Sequence, residues 1–291
     1  MKRTHSWLAY ALVTTVFWGV WGALIEIPEK SGFPATLGYV VWALTMIPPA
    51  LVVLARVGWK IERDKSSILL GSIIGLLGAG GQLVLFQALR MGPAYLVFPV
   101  ISLAPVVTIG FSFWLLRERT GLRGWIGISI AIIALPLLSY APSSPSHDAS
   151  LFWILLALAV FFAWGVQAYV IKRANETMSA EGIFFYMMLT SIMLIPLAIA
   201  MTDFSETINW EADGPLLAAG IQILNSIGAL CLVYAFRYGK AIIVSPLTNA
   251  VAPVITIFLS LSIYAIIPNP IIIIGICCAV LAAFLFAVEG E

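Results

Sequence analysis

Most of the polar side chains able to do chemistry sit inside long apolar runs and carry no charge. Gln82 and Gln87, Ser102 and Thr108, Gln167, Gln222 and Asn225, and Asn249 and Thr256 are all neutral hydrogen-bonding groups. Such groups are costly in hydrocarbon unless they face a bundle interior or a water-filled cavity. Each therefore either contacts a solute or makes an interhelical hydrogen bond, worth on the order of 0.6 to 2 kcal/mol. Trp18, Trp21, Trp42 and Trp164 lie in the middle of their runs, where aromatic faces can stack on a planar or apolar solute. The remaining tryptophans lie near run ends and suit the aromatic belt. Only one carboxylate, Glu26, reaches inside a run, near its end and close to Lys30. It is either an ion-coupling group or an interfacial residue paired with that lysine.

Enzyme chemistry has little to work with. The two histidines, His5 and His147, lie outside the apolar runs, so no buried His relay or metal centre is expected. The three cysteines, Cys231, Cys277 and Cys278, lie within runs and offer no CxxC spacing. No nucleophile has a base nearby and no ATP-binding motif is present, so neither an enzyme nor a cofactor is expected.

The elements that must hold these residues follow from composition. Of 291 residues, 62% are hydrophobic and 10% charged, against about 25% charged in soluble domains. The sequence describes an all-α integral membrane protein, and its net charge of +1 excludes nucleic acid as a partner. Apolar runs broken by Pro, Gly and charge predict ten transmembrane helices, at about 7–27, 34–54, 67–89, 94–116, 121–140, 151–172, 181–202, 214–237, 240–264 and 269–289. Placing both termini in the cytoplasm puts 13 basic residues inside and only Lys30 and Arg90 outside. This fits a multi-pass protein of the cell (inner) membrane.

The segment 141–150 has linker composition and divides the chain into halves of five helices, 7–140 and 151–289. The halves repeat. Ala88, Arg90, Gly92, Ala94 and Pro99 recur as Ala235, Arg237, Gly239, Ala241 and Pro246 at an offset of 147. Ala104, Pro105 and Thr108 recur at 148 as Ala252, Pro253 and Thr256, and Trp18-Gly19 recurs at 146 as Trp164-Gly165. An odd number of helices per half turns the second half upside down, a 5+5 inverted repeat of the kind that builds secondary transporters. Such a repeat predicts a central cavity between helices 1, 3, 4, 6, 8 and 9.

The paired Trp-Gly, the Ala-Leu-Arg-x-Gly-Pro-Ala connection, Pro105, the Arg117-Glu118-Arg119 turn and the Gly124 to Ala134 stretch resemble the EamA family of the drug/metabolite transporter superfamily. The resemblance runs from about residue 8 to 288. It implies a ten-helix permease with two EamA domains that moves small organic metabolites by alternating access. The sequence departs from the family after the second-half helix, where Ala265 to Pro270 has no acid matching Glu118. It departs again early in helix 2, where Tyr39 and Trp42 stand in place of a basic residue.

The expected solute is a small neutral, zwitterionic or aromatic metabolite, because no mid-membrane Lys or Arg is present to balance a phosphorylated one. The candidate binding residues are Trp18, Trp21, Gln82, Ser102, Trp164, Gln167, Asn225 and Asn249. Pro99, Pro105, Pro246 and Pro253 are candidate hinges or static kinks, since each removes a helix hydrogen bond. Glu26 is the candidate coupling group. Beyond the solute and membrane lipid no partner is expected, and the chain is read as a monomer or weak dimer. The competing readings are a non-transporting receptor or scaffold and, less favoured by the residues, a membrane transferase.

Overall fold

The computed structural model describes residues 6–91, 94–138, 140, 152–264 and 269–289. The 141–150 linker, His5, His147 and the 265–268 turn lie outside the described residues, as does the side chain of Pro99. Every regular element among the described residues is helical. We number the helices α1 (Ser6–Lys30), α2 (Ala35–Arg56), α3 (Lys65–Met91), α4 (94–114), α5 (Leu122–Leu138), α6 (Phe152–Ala174), α7 (Ala180–Ala200), α8 (Ala212–Tyr238), α9 (Ala241–Tyr264) and α10 (Pro270–Glu289). Seven of them, α1, α2, α3, α6, α7, α8 and α9, contain stretches long and apolar enough to cross a membrane. The other three, α4, α5 and α10, contribute shorter apolar stretches.

Proline sets the interruptions. α2 breaks at Met46 ahead of Pro48, α4 at Leu103 ahead of Pro105, and α7 at Leu194 ahead of Pro196. Each proline then sits in the first turn of a fresh helix, where its missing N–H costs nothing. Pro246 and Pro253, by contrast, lie inside α9, which stays helical through both. Pro99 lies within the first part of α4. Thus only Pro105 among the four candidate hinges adjoins a break. α3 is continuous but widens to a π turn over Leu76–Gly80, in a glycine-rich stretch.

The helices of one half pack on those of the other. α1 lies against α8 and α9, and α6 lies against α3 and α4. α2 meets α8 while α7 meets α3, and α5 meets α10. Repeat-related glycines permit the two central crossings. A Cβ on Gly19 would stand 2.5 Å from Ile255 Cβ, and one on Gly165 would stand 2.5 Å from Val107 Cβ and 2.6 Å from the Ala104 carbonyl oxygen. The close approach lets Thr256 Oγ1 donate to Gly19 O and Thr108 Oγ1 to Gly165 O, each at 2.9 Å. A largely buried core of Ala, Ile, Leu and Val, with Phe184, Phe236 and Phe286, fills the space between these crossings.

Candidate functional site

The crossings enclose a cavity of about 250 Å³. Trp18 and Trp21 enter it from α1, and Trp164 and Gln167 from α6. Their indole and amide groups are held by helices of the opposite half. Trp18 Nε1 donates to Asn225 O and Trp164 Nε1 to Gly78 O, both at 3.3 Å. These acceptors are themselves related by the 147-residue offset. Trp21 Nε1 donates to Gln222 Oε1 (2.9 Å), and the Gln222 amide nitrogen is spent on Gly38 O (3.3 Å). Gln222 therefore positions Trp21 rather than lining the space itself.

Gln82, Asn225 and Asn249 complete the polar lining expected from the sequence. Gln167 Nε2 donates to Ile74 O (3.1 Å), and Asn249 Nδ2 donates to Ser245 O (2.9 Å). One hydrogen of each amide is tied to backbone, which orients the group and leaves its oxygen as an acceptor and its second N–H as a donor for a solute. Among the described residues lining the cavity none is charged. A solute there would meet indole faces and neutral amides, an environment that penalises an uncompensated ion.

Ser102 is not among the described residues that line the cavity, nor is Gln87, which borders an apolar groove between α3, α6 and α7. The break at Leu103 accounts for Ser102. On an unbroken helix it would share a face with Pro105, which does line the cavity. Pro246 and Pro253 are likewise absent from the lining among the described residues. Glu26 is exposed and forms an ion pair with Lys30 one helical turn on, at 2.7 Å. It is not among the described residues that line the cavity.

The lining also draws on α2 and α7, through Trp42, Met187 and Ser191, and on Ser245 and Thr248 of α9. The expected helix set did not include α2 and α7. They reach the cavity because they pack on α8 and α3, which line it. Ser245 and Thr248 lie four and one residues before Asn249, and that helical spacing was the available signal. No group of three or more His, Cys, Asp or Glu able to hold a metal occurs among the described residues.

The EamA-like transporter family model matches residues 5–140 and matches again over residues 151–288, one repeat on each half. The chain belongs to the EamA-like transporter family. As an EamA-like chain with many apolar helices, it is a multi-pass membrane protein of two-repeat layout. An uncharacterized protein of Methanocaldococcus jannaschii is 31% identical over 129 residues, covering 44% of this chain and 92% of its own length. Protein LicB of Haemophilus influenzae is 24% identical over 243 residues, 80% of this chain and 81% of its own. A solved crystal structure superposes with a TM-score of 0.78 over 96% of this chain and 98% of its own, at 18% identity, which shows a shared fold.

Proposed function

We propose that the protein is a secondary transporter that moves a small neutral, zwitterionic or aromatic metabolite by alternating access through ten spans arranged as a 5+5 inverted repeat. The observation that carries this reading is the uncharged, tryptophan-lined cavity at the crossing of the two repeats. A cavity at a repeat interface is where a rocking of one half against the other exposes a fixed site to each side in turn. Trp18, Trp21, Gln82, Trp164, Gln167, Asn225 and Asn249 form the binding site, with Trp42, Ser191 and Ser245 beside them. The break beside Pro105 is the hinge that adjoins it. The segregation of basic residues supports cytoplasmic termini in a cell membrane.

A thermal-shift screen of amino acids, nucleobases, sugars and amines on purified protein selects the solute, because a ligand that binds the folded state raises apparent stability by mass action. Uptake of the hits into proteoliposomes then tests transport. A hit that stabilises the protein and equilibrates across the liposome membrane is the expected result. Stabilising hits that never cross would favour a receptor.

A further inference from the structure

The cavity ends in a floor at the Lys172 end of the bundle. Ile171 and Phe236, each 1% exposed, lie at this end of the lining. Beside them Lys172 Nζ donates to Phe236 O (3.0 Å), in the last turn of α8, and to Gly239 O (2.6 Å), just past its end, and stands 3.8 Å from Glu118 Oε1. Glu118 Oε2 accepts from Ile242 N at 2.9 Å, in the first turn of α9. A base at the end of one helix and an acid at the start of the next complement both exposed helix termini. Lys240 Nζ adds a bond to Arg119 O (2.7 Å).

Glu118 is held in place by a helix-ending turn. Arg117 adopts a left-handed conformation (φ 54°), and Glu118 N donates back to Ser112 O at 3.0 Å. An arginine thus occupies a left-handed position that usually favours glycine, and the chain turns back on the end of α4 there. Thus one side chain from the first half and one from the second grip the α8–α9 corner.

The repeat-equivalent residues do not carry this pair to the other end, where among the described residues the halves meet instead through Asn209, whose N and Nδ2 donate to Gly32 O and Ser31 O at 3.0 Å. The offset that carries Trp18 to Trp164 carries Glu26 to Lys172, and the offset that carries Thr108 to Thr256 carries Glu118 to Ile266. Glu26 is 62% exposed and bound to Lys30 of its own helix. Toward that end Trp18, Trp21 and Gln82 are only half-buried.

We infer that Lys172 and Glu118 form a one-sided clamp that holds the cavity shut at the Lys172 end, so that the empty protein rests open toward the opposite end. The inference builds on the alternating-access reading. To open the floor, the α8–α9 corner must leave both side chains and strand the Phe236 and Gly239 carbonyls. Closing the opposite end recovers no matching pair from Glu26 and Ile266. A solute shifts this balance only by as much as it prefers one state over the other.

The test uses full-length protein in vesicles, with Cys231, Cys277 and Cys278 changed to alanine and Ser245→Cys as a reporter near the floor. A small membrane-impermeant thiol reagent is applied to one face at a time. We expect labelling from the Lys172 face to be at least tenfold slower than from the other face. Lys172→Met and, independently, Glu118→Gln should each raise the Lys172-face rate at least fivefold. The glutamine can still accept from Ile242 N, so it removes charge and keeps the cap. Equal reaction from both faces before either change, or an unchanged Lys172-face rate in a folded variant, overturns the clamp. Labelling requires no solute to move, so failure of every solute in the uptake assay strikes the transporter reading and leaves this result to stand by itself.

Discussion

Asn249 and Gln167 are each oriented by one amide hydrogen bond to backbone and line the cavity with a free carbonyl oxygen. Removing either acceptor should therefore weaken a ligand that donates to it by about 1–3 kcal/mol, the cost of leaving a buried donor unmet. Asn249→Ala and Gln167→Leu should each lower affinity roughly tenfold or more by calorimetry with the best thermal-shift hit, with folding retained. Glu26 should behave differently. Its pair with Lys30 is solvent-exposed, and such pairs contribute about 0–1 kcal/mol. We expect Glu26→Gln to keep most uptake with an unchanged pH profile, and a lost pH-gradient response in that variant would refute this. The sequence made the four mid-run tryptophans legible because they interrupt no run yet stand far from the interfaces. Ser102 lies off the described lining, and its neighbourhood reads as unbroken helix until Leu103 is seen to interrupt it. Trp42 was legible as an interior aromatic, but its place in the cavity depended on α2 packing against α8, a contact that spacing does not encode.

At the level of helices, the Trp-Gly pairs were informative because the glycine, not only the indole, is what the crossing needs. A methyl at Gly19 or Gly165 meets carbon or backbone oxygen within 3.0 Å, so relief requires the helices to part. Gly19→Ala and Gly165→Ala should each cost about 1–3 kcal/mol of stability, read as a lower melting temperature in detergent. Gly220→Ala on α8 has open space around its Cβ and should be neutral or stabilising by up to ~1 kcal/mol. A second expectation concerns the start of α3. Hydrogen bonds from the Ser67 hydroxyl and backbone N–H hold the Asp64 carboxyl below the usual aspartate range. Because its folded pKa is depressed, its stabilisation is present above the unfolded value of about 3.9 and fades as pH falls through the folded one. Asp64→Ala should lower the melting temperature at neutral pH and matter progressively less on strong acidification. Proline was only a partial guide to helix breaks. Pro105 adjoins one, whereas Pro246 and Pro253 are absorbed within α9, and the sequence around all three looks alike.

Across the whole molecule, hydrogen bonds gather Glu62, Glu118, Lys172, Ser179, Glu181 and Lys240 at one end, and Ser31, Asn209 and Asp213 at the other. In a cysteine-free background, Lys60→Cys should therefore be labelled by an impermeant reagent only from the cytoplasmic face, and Glu206→Cys only from outside. Labelling of both from one face would break the ten-span topology. Each of the ten apolar runs coincides with a helix to within a few residues, since run length and punctuation are local properties. The pairing of each half with the other was legible only as an offset in sequence, because contacts across more than 200 residues leave no local trace.

Those distant pairings also bear on how the chain is made. Thr14 Oγ1 bonds to Gly228 O across 214 positions, and Thr256 Oγ1 bonds to Gly19 O across 237. A ribosome adding about 5–20 residues per second needs roughly 10 to 40 s to bridge the first of these gaps. For that interval the first helix sits in the bilayer with its threonines and its glycine face lacking their eventual partners. We expect the N-terminal half to be an assembly intermediate rather than an autonomous unit. Expressed alone it should be degraded, and co-expression of 151–291 as a separate chain should rescue it.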